Sequence, residues 1–582
     1  MIMEKNLSAK SQNLIILIVC QILIVTVYCL VLRHWNIVPI YENCDDFFLK
    51  LISSGELTGT PEAHLRYISF TGGMVLKALY TCLPSVSWYG VWLLIYLFAA
   101  YSAVFFCLSE CVGDRVSPVI YRICVLAVLI TEAVSFWAVP SFFVQYTTVT
   151  IVVAAASAVL LYCDHWISSE VFFAMALILR TDAALMMLPF LIAIGTAKYL
   201  AERPQRRKLT GCLISLVVIT ILVMAADRAA YSGEWRDYIR YDKARQTMVD
   251  YAGYPDYDGY ADVYESYGIS REAYMLATTR DTLLFDEGFD VRSMTALADL
   301  CSRHDRGRGL SVILKDFIER SVVSYVDRPV NLIVFSLYIL CTALALIGKK
   351  KRALLMIASV VAARMVIWGY LLYIDRLPTR ISTGVYIAEN VLLLAFMARE
   401  ELYLFKGKRL TVFTSLSVMA VILAVSVKWG LPHTDSYAKY VYERLKFIGA
   451  YGEMRDYMYE NGDDFYLLDI NSFRYLSEPL VTVNKPTCNN YVYTGCWPSN
   501  TPWTEKLARS RQIESYETEL LESDRTFIVF MDSGITDHVF LEDYYSAKYG
   551  NTRFYEEDTV YTSNGLVFKI MGVRRGAVPG PG

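Results

Sequence analysis

Eleven apolar runs, at 14–32, 87–107, 118–138, 144–162, 169–180, 183–197, 209–226, 329–347, 353–374, 381–398 and 409–428, recur along the 582 residues. A helix rises 1.5 Å per residue, so about 20 apolar residues cross the hydrocarbon layer of a bilayer. So many such runs exclude an ordinary soluble domain, and 55% hydrophobic against 19% charged residues agrees. The expected fold is an α-helical polytopic membrane protein of about 11 spans. The net charge of −3 says nothing about nucleic acid; in such a chain the placement of basic residues matters.

The fifth and sixth runs are short and are interrupted by Arg180-Thr181-Asp182. They read either as a hairpin or as one continuous helix over 170–199. The basic clusters favour the hairpin. Lys198, Arg203, Arg206, Arg207 and Lys208 follow this segment, Lys349 to Arg352 follow the eighth run, and Arg399, Lys406, Lys408 and Arg409 follow the tenth. With a cytoplasmic N-terminus and a hairpin, all three clusters fall inside, as the positive-inside bias requires. The first run is long for a signal peptide and lacks a small-residue cleavage site, so it reads as a signal anchor. The expected place is the plasma membrane, multi-pass, with an extracytoplasmic C-terminal domain.

This topology sends the ionisable exits to one outer face. Asp45 and Asp46 lie about a dozen residues past the first run. Arg180 and Asp182 sit at the hairpin turn, and Asp375, Arg376 and Arg380 lie between the ninth and tenth runs. Charges at a bilayer edge are costly unless solvated or paired, which makes them functional candidates. The plainer reading of Arg180–Asp182 is a structural ion pair, and of Arg376 and Arg380 a snorkelling anchor. The first outer loop, 33–86, also carries Glu62, His64 and Arg66; from His64 to Leu83 apolar residues recur at helical spacing, as in a helix lying on the interface. The second, 227–328, is rich in tyrosine, which suits either the water–lipid boundary or stacking on sugar faces.

After 428 the chain turns polar. The runs Phe465–Ile470 and Phe527–Met531 read as strands; 436–459, 505–523 and 540–549 read as helices. The expected organisation is a transmembrane domain over 1–428, an α/β domain over 429–575 and a flexible tail over 576–582. Cys488 and Cys496 flank a short loop and read as a disulfide or as two free thiols. No phosphate-cradling glycine loop, HExxH or serine elbow is present.

An acidic pair past the first span, a loop helix, a short hairpin with a basic turn and an outer C-terminal domain together resemble the GT-C superfamily of membrane glycosyltransferases, and GT-C-like membrane proteins of Gram-positive bacteria. The resembling stretches are Asp45-Asp46-Phe47, Gly59-Thr60-Pro61-Glu62-Ala63-His64, Leu179-Arg180-Thr181-Asp182 and Tyr264-Glu265-Ser266-Tyr267-Gly268-Ile269-Ser270. The resemblance implies transfer of a sugar from a polyprenyl-phosphate-linked donor to an envelope glycan or glycolipid on the outer face. It implies Asp45 as the base of an inverting displacement. Asp46 would be its partner, the two acids holding a divalent metal, Mg or Mn, in the families that use one. Arg66, Arg180, Arg376 and Arg380 would bind the donor phosphate, with Glu62, His64, Asp182 and Asp375 in support. Two rival readings remain: a transporter or flippase of lipid-linked sugars, and a non-enzymatic envelope protein that binds wall polymer. A transporter should bury polar groups at mid-membrane; the runs are mostly clean, and Arg122, Glu132 and Arg364 stand out within them.

Overall fold

The protein is described from a computed structural model over residues 2–111, 118–231, 233–282, 285–304, 309–323, 328–374, 376–402, 408–473, 475–484, 489–532 and 539–576. It is mainly helical. The first third runs α1 (Ile2–Trp35), β1 (Ile40–Tyr41), α2 (Cys44–Ser54), α3 (Phe70–Cys82), α4 (Trp88–Glu110), α5 (Pro118–Ser135), α6 (Val139–Phe142), β2 (Phe143–Val144) and α7 (Tyr146–Tyr162). Then come α8 (Trp166–Leu179), α9 (Thr181–Met186), α10 (Leu188–Ala201), α11 (Arg206–Ala230), α12 (Glu234–Gln246), α13 (Ala261–Ser266), α14 (Arg271–Arg280), α15 (Val291–His304) and α16 (Leu310–Val323). A second set of long helices follows: α17 (Arg328–Ile347), α18 (Lys351–Tyr373), α19 (Thr379–Arg399) and α20 (Lys408–Glu460). The C-terminal part adds β3 (Phe465–Leu468), β4 (Tyr491–Tyr493), α21 (Pro502–Ser510), α22 (Tyr516–Glu522), β5 (Thr526–Met531), α23 (Val539–Tyr549), β6 (Thr552–Tyr561) and β7 (Val567–Arg575).

Among the described residues, eight helices are long and apolar enough to cross a membrane, and three more apolar helices, Leu126–Ser135, Tyr146–Tyr162 and Trp166–Leu179, are shorter. The eleven expected runs fall on these helices, but length supports a crossing for only eight. The bundle is built around α7 and α19. Every residue of α7 is buried, and so is α19 from Ser382 to Ala398. A helix covered on all sides can carry polar groups only where they find partners. Glu132 of α5 accepts hydrogen bonds from Asn390 and Ser426, and Arg364 of α18 pairs with Glu389. These groups fasten helices together.

The chain reverses at Arg180. Lys198, near the end of α10, reaches Asp164, just before α8, at 2.6 Å and also donates to the Leu161 and Tyr162 carbonyls. The two arms therefore start and finish at one end, with Arg180-Thr181-Asp182 at the tip. The same end holds Arg399 against Asp164 and Arg352 against Glu400 at 2.9 Å, with Glu202 as its second partner.

The C-terminal sheet has the order β4-β3-β5-β7-β6, parallel among β3, β4 and β5 and antiparallel from β5 to β7 and β6. Successive side chains alternate across it. Tyr466, Leu468, Phe527 and Val529 join the core that continues into the bundle, whereas Phe465, Leu467, Ile528 and Phe530 join a second core with α12 to α15 and α21 to α23. Two helices replace the one expected over 505–523, and β4, β6 and β7 had no counterpart in the strands expected. The expected boundary at 428/429 falls inside α20, which runs unbroken through Pro432. Helix α3 begins at Phe70 rather than near His64.

Helix α2 is fastened to the C-terminal part by a buried cluster of four charges. Lys50 Nζ lies 2.5 Å from Glu56 and 2.8 Å from Glu478, and Arg455 lies 3.5 Å and 3.6 Å from the same two acids. Two positive and two negative charges balance, so burial is tolerated only while all four are present. Glu478→Ala is expected to destabilise the protein by roughly 3–5 kcal/mol, because it leaves the cations uncompensated. Thermal unfolding of the detergent-purified protein measures this.

Candidate functional site

Helix α2 begins where it does because Asn43 caps it, its side chain accepting the Asp46 backbone N–H at 3.3 Å. Acidic residues in a first turn face the positive end of the helix dipole, which suits Asp45 and Asp46. The two then part. Asp45 points into a cavity of about 660 Å³. Asp46 is fully buried and accepts from the Tyr89 hydroxyl at 2.9 Å and the Tyr146 backbone N–H at 3.1 Å. Burial pushes its carboxyl well above the usual carboxylate range.

The cavity collects groups from distant parts of the chain. Its polar wall includes Asp45, Arg66, Arg180, Asp182, Arg376 and Arg380, joined by Tyr67, Tyr146, Arg245, Asp250, Asp281, Cys496 and Trp497. A second wall is apolar, formed by Leu185, Met186 and Pro189 from the hairpin and Val366, Ile367, Tyr370 and Leu371 from α18. A cavity with one charged and one greasy side suits an amphiphile whose head is anionic.

The five guanidiniums differ in their partners. Arg66 pairs with the buried Asp242, which also takes Arg245 at 3.0 Å and Gln246 at 3.0 Å. Arg376 pairs with Asp250 at 2.9 Å and lies over the Tyr251 ring. Arg180 and Arg380 have no carboxylate within ion-pair distance among the described residues. Arg180 donates to the Thr147 hydroxyl and lies over the Tyr146 and Tyr67 rings at 4.8 Å and 5.5 Å. It makes no pair with Asp182, so the plain ion-pair reading of the hairpin tip does not hold. The largest attraction on Arg380 comes from Asp45. These two half-buried cations are the ones free to meet an anion.

Some expected site residues lie elsewhere. Asp46 does not line the cavity, because adjacent residues on a helix point about 100° apart and its direction is occupied by Tyr89. The pair therefore does not fit joint metal ligation, and among the described residues no three His, Cys, Asp or Glu side chains could hold a metal ion. Glu62 and His64 also stand off the cavity. Glu62 accepts from the Ala63 and His64 backbone N–H groups and from His64 Nδ1 at 2.9 Å, while His64 stacks on Trp235 at 4.6 Å. They fix the loop that presents Arg66. Asp375 lies outside the described residues, as does Cys488 of the expected disulfide.

Arg245, Asp250, Tyr67 and Trp497 are cavity residues that the sequence reading did not single out. Arg245 lies in the tyrosine-rich second outer loop, where no local pattern marks it. Trp497 gives no local signal: its ring donates to Asp45 across 452 positions, at 3.0 Å.

Burial acts to raise the Glu62 carboxyl, but the hydrogen bonds from His64 and the backbone hold it down at about 2. A carboxyl depressed in the folded state stabilises above its unfolded pKa, about 4.3 for Glu, and that contribution is lost as pH falls toward 2. Unfolding measured between pH 5 and 2 should therefore show an acid-side loss on the order of 1–2 kcal/mol in the wild type that Glu62→Gln lacks.

No family model and no curated protein matches the chain. Among solved structures, the crystal structure of ArnT from Cupriavidus metallidurans bound to undecaprenyl phosphate is similar over 96% of this chain and 99% of that one, with 12% sequence identity and a TM-score of 0.37. A likeness of that degree carries no argument about reaction or ligand.

Proposed function

We propose that the protein is a membrane glycosyltransferase of the GT-C kind. It moves a sugar from a polyprenyl-phosphate-linked donor to a hydroxyl of an envelope glycan or glycolipid on the outer face of the plasma membrane. One observation carries this reading: a carboxylate in the first turn of a helix shares a cavity with two guanidiniums that, among the described residues, have no carboxylate within ion-pair distance, and the other wall of that cavity is apolar.

In this reaction Asp45 takes the proton of the acceptor hydroxyl. The oxygen attacks the anomeric carbon, the bond from that carbon to the phosphate oxygen breaks, and the configuration inverts. Negative charge gathers on the departing lipid phosphate, where Arg180 and Arg380 would stabilise it. The apolar wall would seat the first isoprene units. Arg66 and Arg376, already paired with acids, would act at longer range, and Asp182 would tune the field at the hairpin tip. Asp46 would hold α2 in place through Tyr89 and Tyr146. No step is assigned to a metal, since the acids present do not converge on one point.

The outer-face assignment is supported by Lys198, Arg352 and Arg399 gathering at the end of the bundle opposite the cavity. Against a flippase reading, Glu132 and Arg364 are held by fixed partners; the Arg122 side chain lies outside the described residues.

The test combines two measurements at matched protein levels. Asp45→Asn should slow consumption of the lipid-linked sugar pool by about 10²- to 10⁴-fold, the range of a general base, while undecaprenyl phosphate still binds the purified protein. Arg180→Met should weaken that binding roughly tenfold or more, since a charge-assisted hydrogen bond is lost. An unchanged pool and unchanged envelope glycans in Asp45→Asn cells would sink the enzyme reading.

A further inference from the structure

We propose that Trp497, carried by the C-terminal part of the chain, is the positioning residue that aims Asp45, so that this part belongs to the catalytic apparatus rather than sitting beside it. The inference rests on the function proposed above. Trp497 Nε1 donates to Asp45 Oδ1 at 3.0 Å. Among the described residues, the hydrogen bond recorded for the opposite oxygen, Oδ2, is a long one from the Asn43 side-chain nitrogen at 3.5 Å. One oxygen is thus held and the other is left to receive the acceptor proton. An indole N–H only donates and has no proton-accepting role. Its effect on the base is to fix the carboxylate's rotation.

The indole is itself held. It is buried and stands edge-on to Phe48 at 5.9 Å and to Tyr67 at 5.4 Å. The Trp497 carbonyl accepts the Tyr238 hydroxyl at 2.9 Å, and the preceding Cys496 N–H donates to Asp281 at 3.1 Å. Cys496 has φ of 63°, a left-handed conformation that non-glycine residues adopt only under constraint. Gly495 before it has no room for a side chain against the Asp281 backbone. This turn is therefore pressed into one shape by the outer-loop helices. Tyr67 then stacks on Tyr146 at 6.1 Å, and Arg180 lies over both rings. One aromatic ledge places the base and the cation relative to each other.

The experiment uses full-length protein in membranes, with Trp497→Phe, Tyr238→Phe and Asp45→Asn at matched levels. Turnover and the apparent KM for the lipid-linked sugar are followed in membranes, and undecaprenyl phosphate binding and the thermal midpoint are measured on the purified proteins. Trp497→Phe keeps an aromatic ring but loses the donor. It should slow turnover about 10- to 100-fold, the scale of a misaimed reacting group, with the apparent KM for the lipid-linked sugar unchanged within about twofold. Undecaprenyl phosphate binding should stay within twofold of wild type. Tyr238→Phe, which frees the Trp497 carbonyl and lines no part of the cavity, should lower turnover the same way by less, and it carries the test if Trp497→Phe fails to accumulate. If Asp45→Asn abolishes consumption while neither Trp497→Phe nor Tyr238→Phe lowers turnover at an unchanged apparent KM, Trp497 is packing alone and the proposal is overturned with the function intact. If Asp45→Asn leaves consumption unchanged, both fall.

Discussion

The buried cluster of Lys50, Glu56, Glu478 and Arg455 is the constraint on which the rest of the arrangement depends. Charges out of water are tolerated only in balanced, closely spaced groups, and here two come from or just after α2 and two from the C-terminal part. The cluster therefore specifies a position more than it adds stability. It sets α2 on the C-terminal part, and backbone pairing nearby repeats the instruction: the Leu480 N–H donates to the Pro39 carbonyl at 2.9 Å, and the Ser477 hydroxyl to that of Tyr41 at 2.7 Å. With α2 fixed, its first turn has one direction left for Asp45.

Around that fixed acid the bundle distributes positive charge unevenly. Acids within reach neutralise three of the five guanidiniums, while Arg180 is left to aromatic faces and a hydroxyl and Arg380 to the attraction of Asp45. A cation resting on tyrosine rings is less strongly compensated than one in an ion pair, so it keeps much of its attraction for an incoming anion. The site is thus almost neutral in sum yet strongly polar in layout. Such preorganisation stabilises developing charge without drawing in arbitrary counter-ions.

Much of this was legible in the sequence, for a physical reason. A bilayer demands long apolar runs, and it penalises charges at its edge unless they serve something, so Asp45, Arg180, Arg376 and Arg380 stood out before any fold was known. The pairing of those charges was not legible. Arg66 finds its acid 176 residues away, and no local pattern announces Asp242. Asp46 looked like the twin of Asp45 because a sequence does not display helix rotation; 100° was enough to turn it inward. The boundary expected at 428/429 lies within a continuous helix for a related reason. Hydropathy changes there, whereas helix propensity does not, and α20 carries on.

That continuity of α20 has a mechanical meaning. A helix of 53 residues is roughly 80 Å long, about twice the thickness of a whole bilayer. The C-terminal part is mounted on a stiff mast instead of a tether, so it cannot swing as a loosely leashed lid. Admission of a bulky acceptor must then come from flexing of the mast itself, for which Pro432 is the natural weak joint, or from yielding of the tyrosine-rich outer loops on the far side.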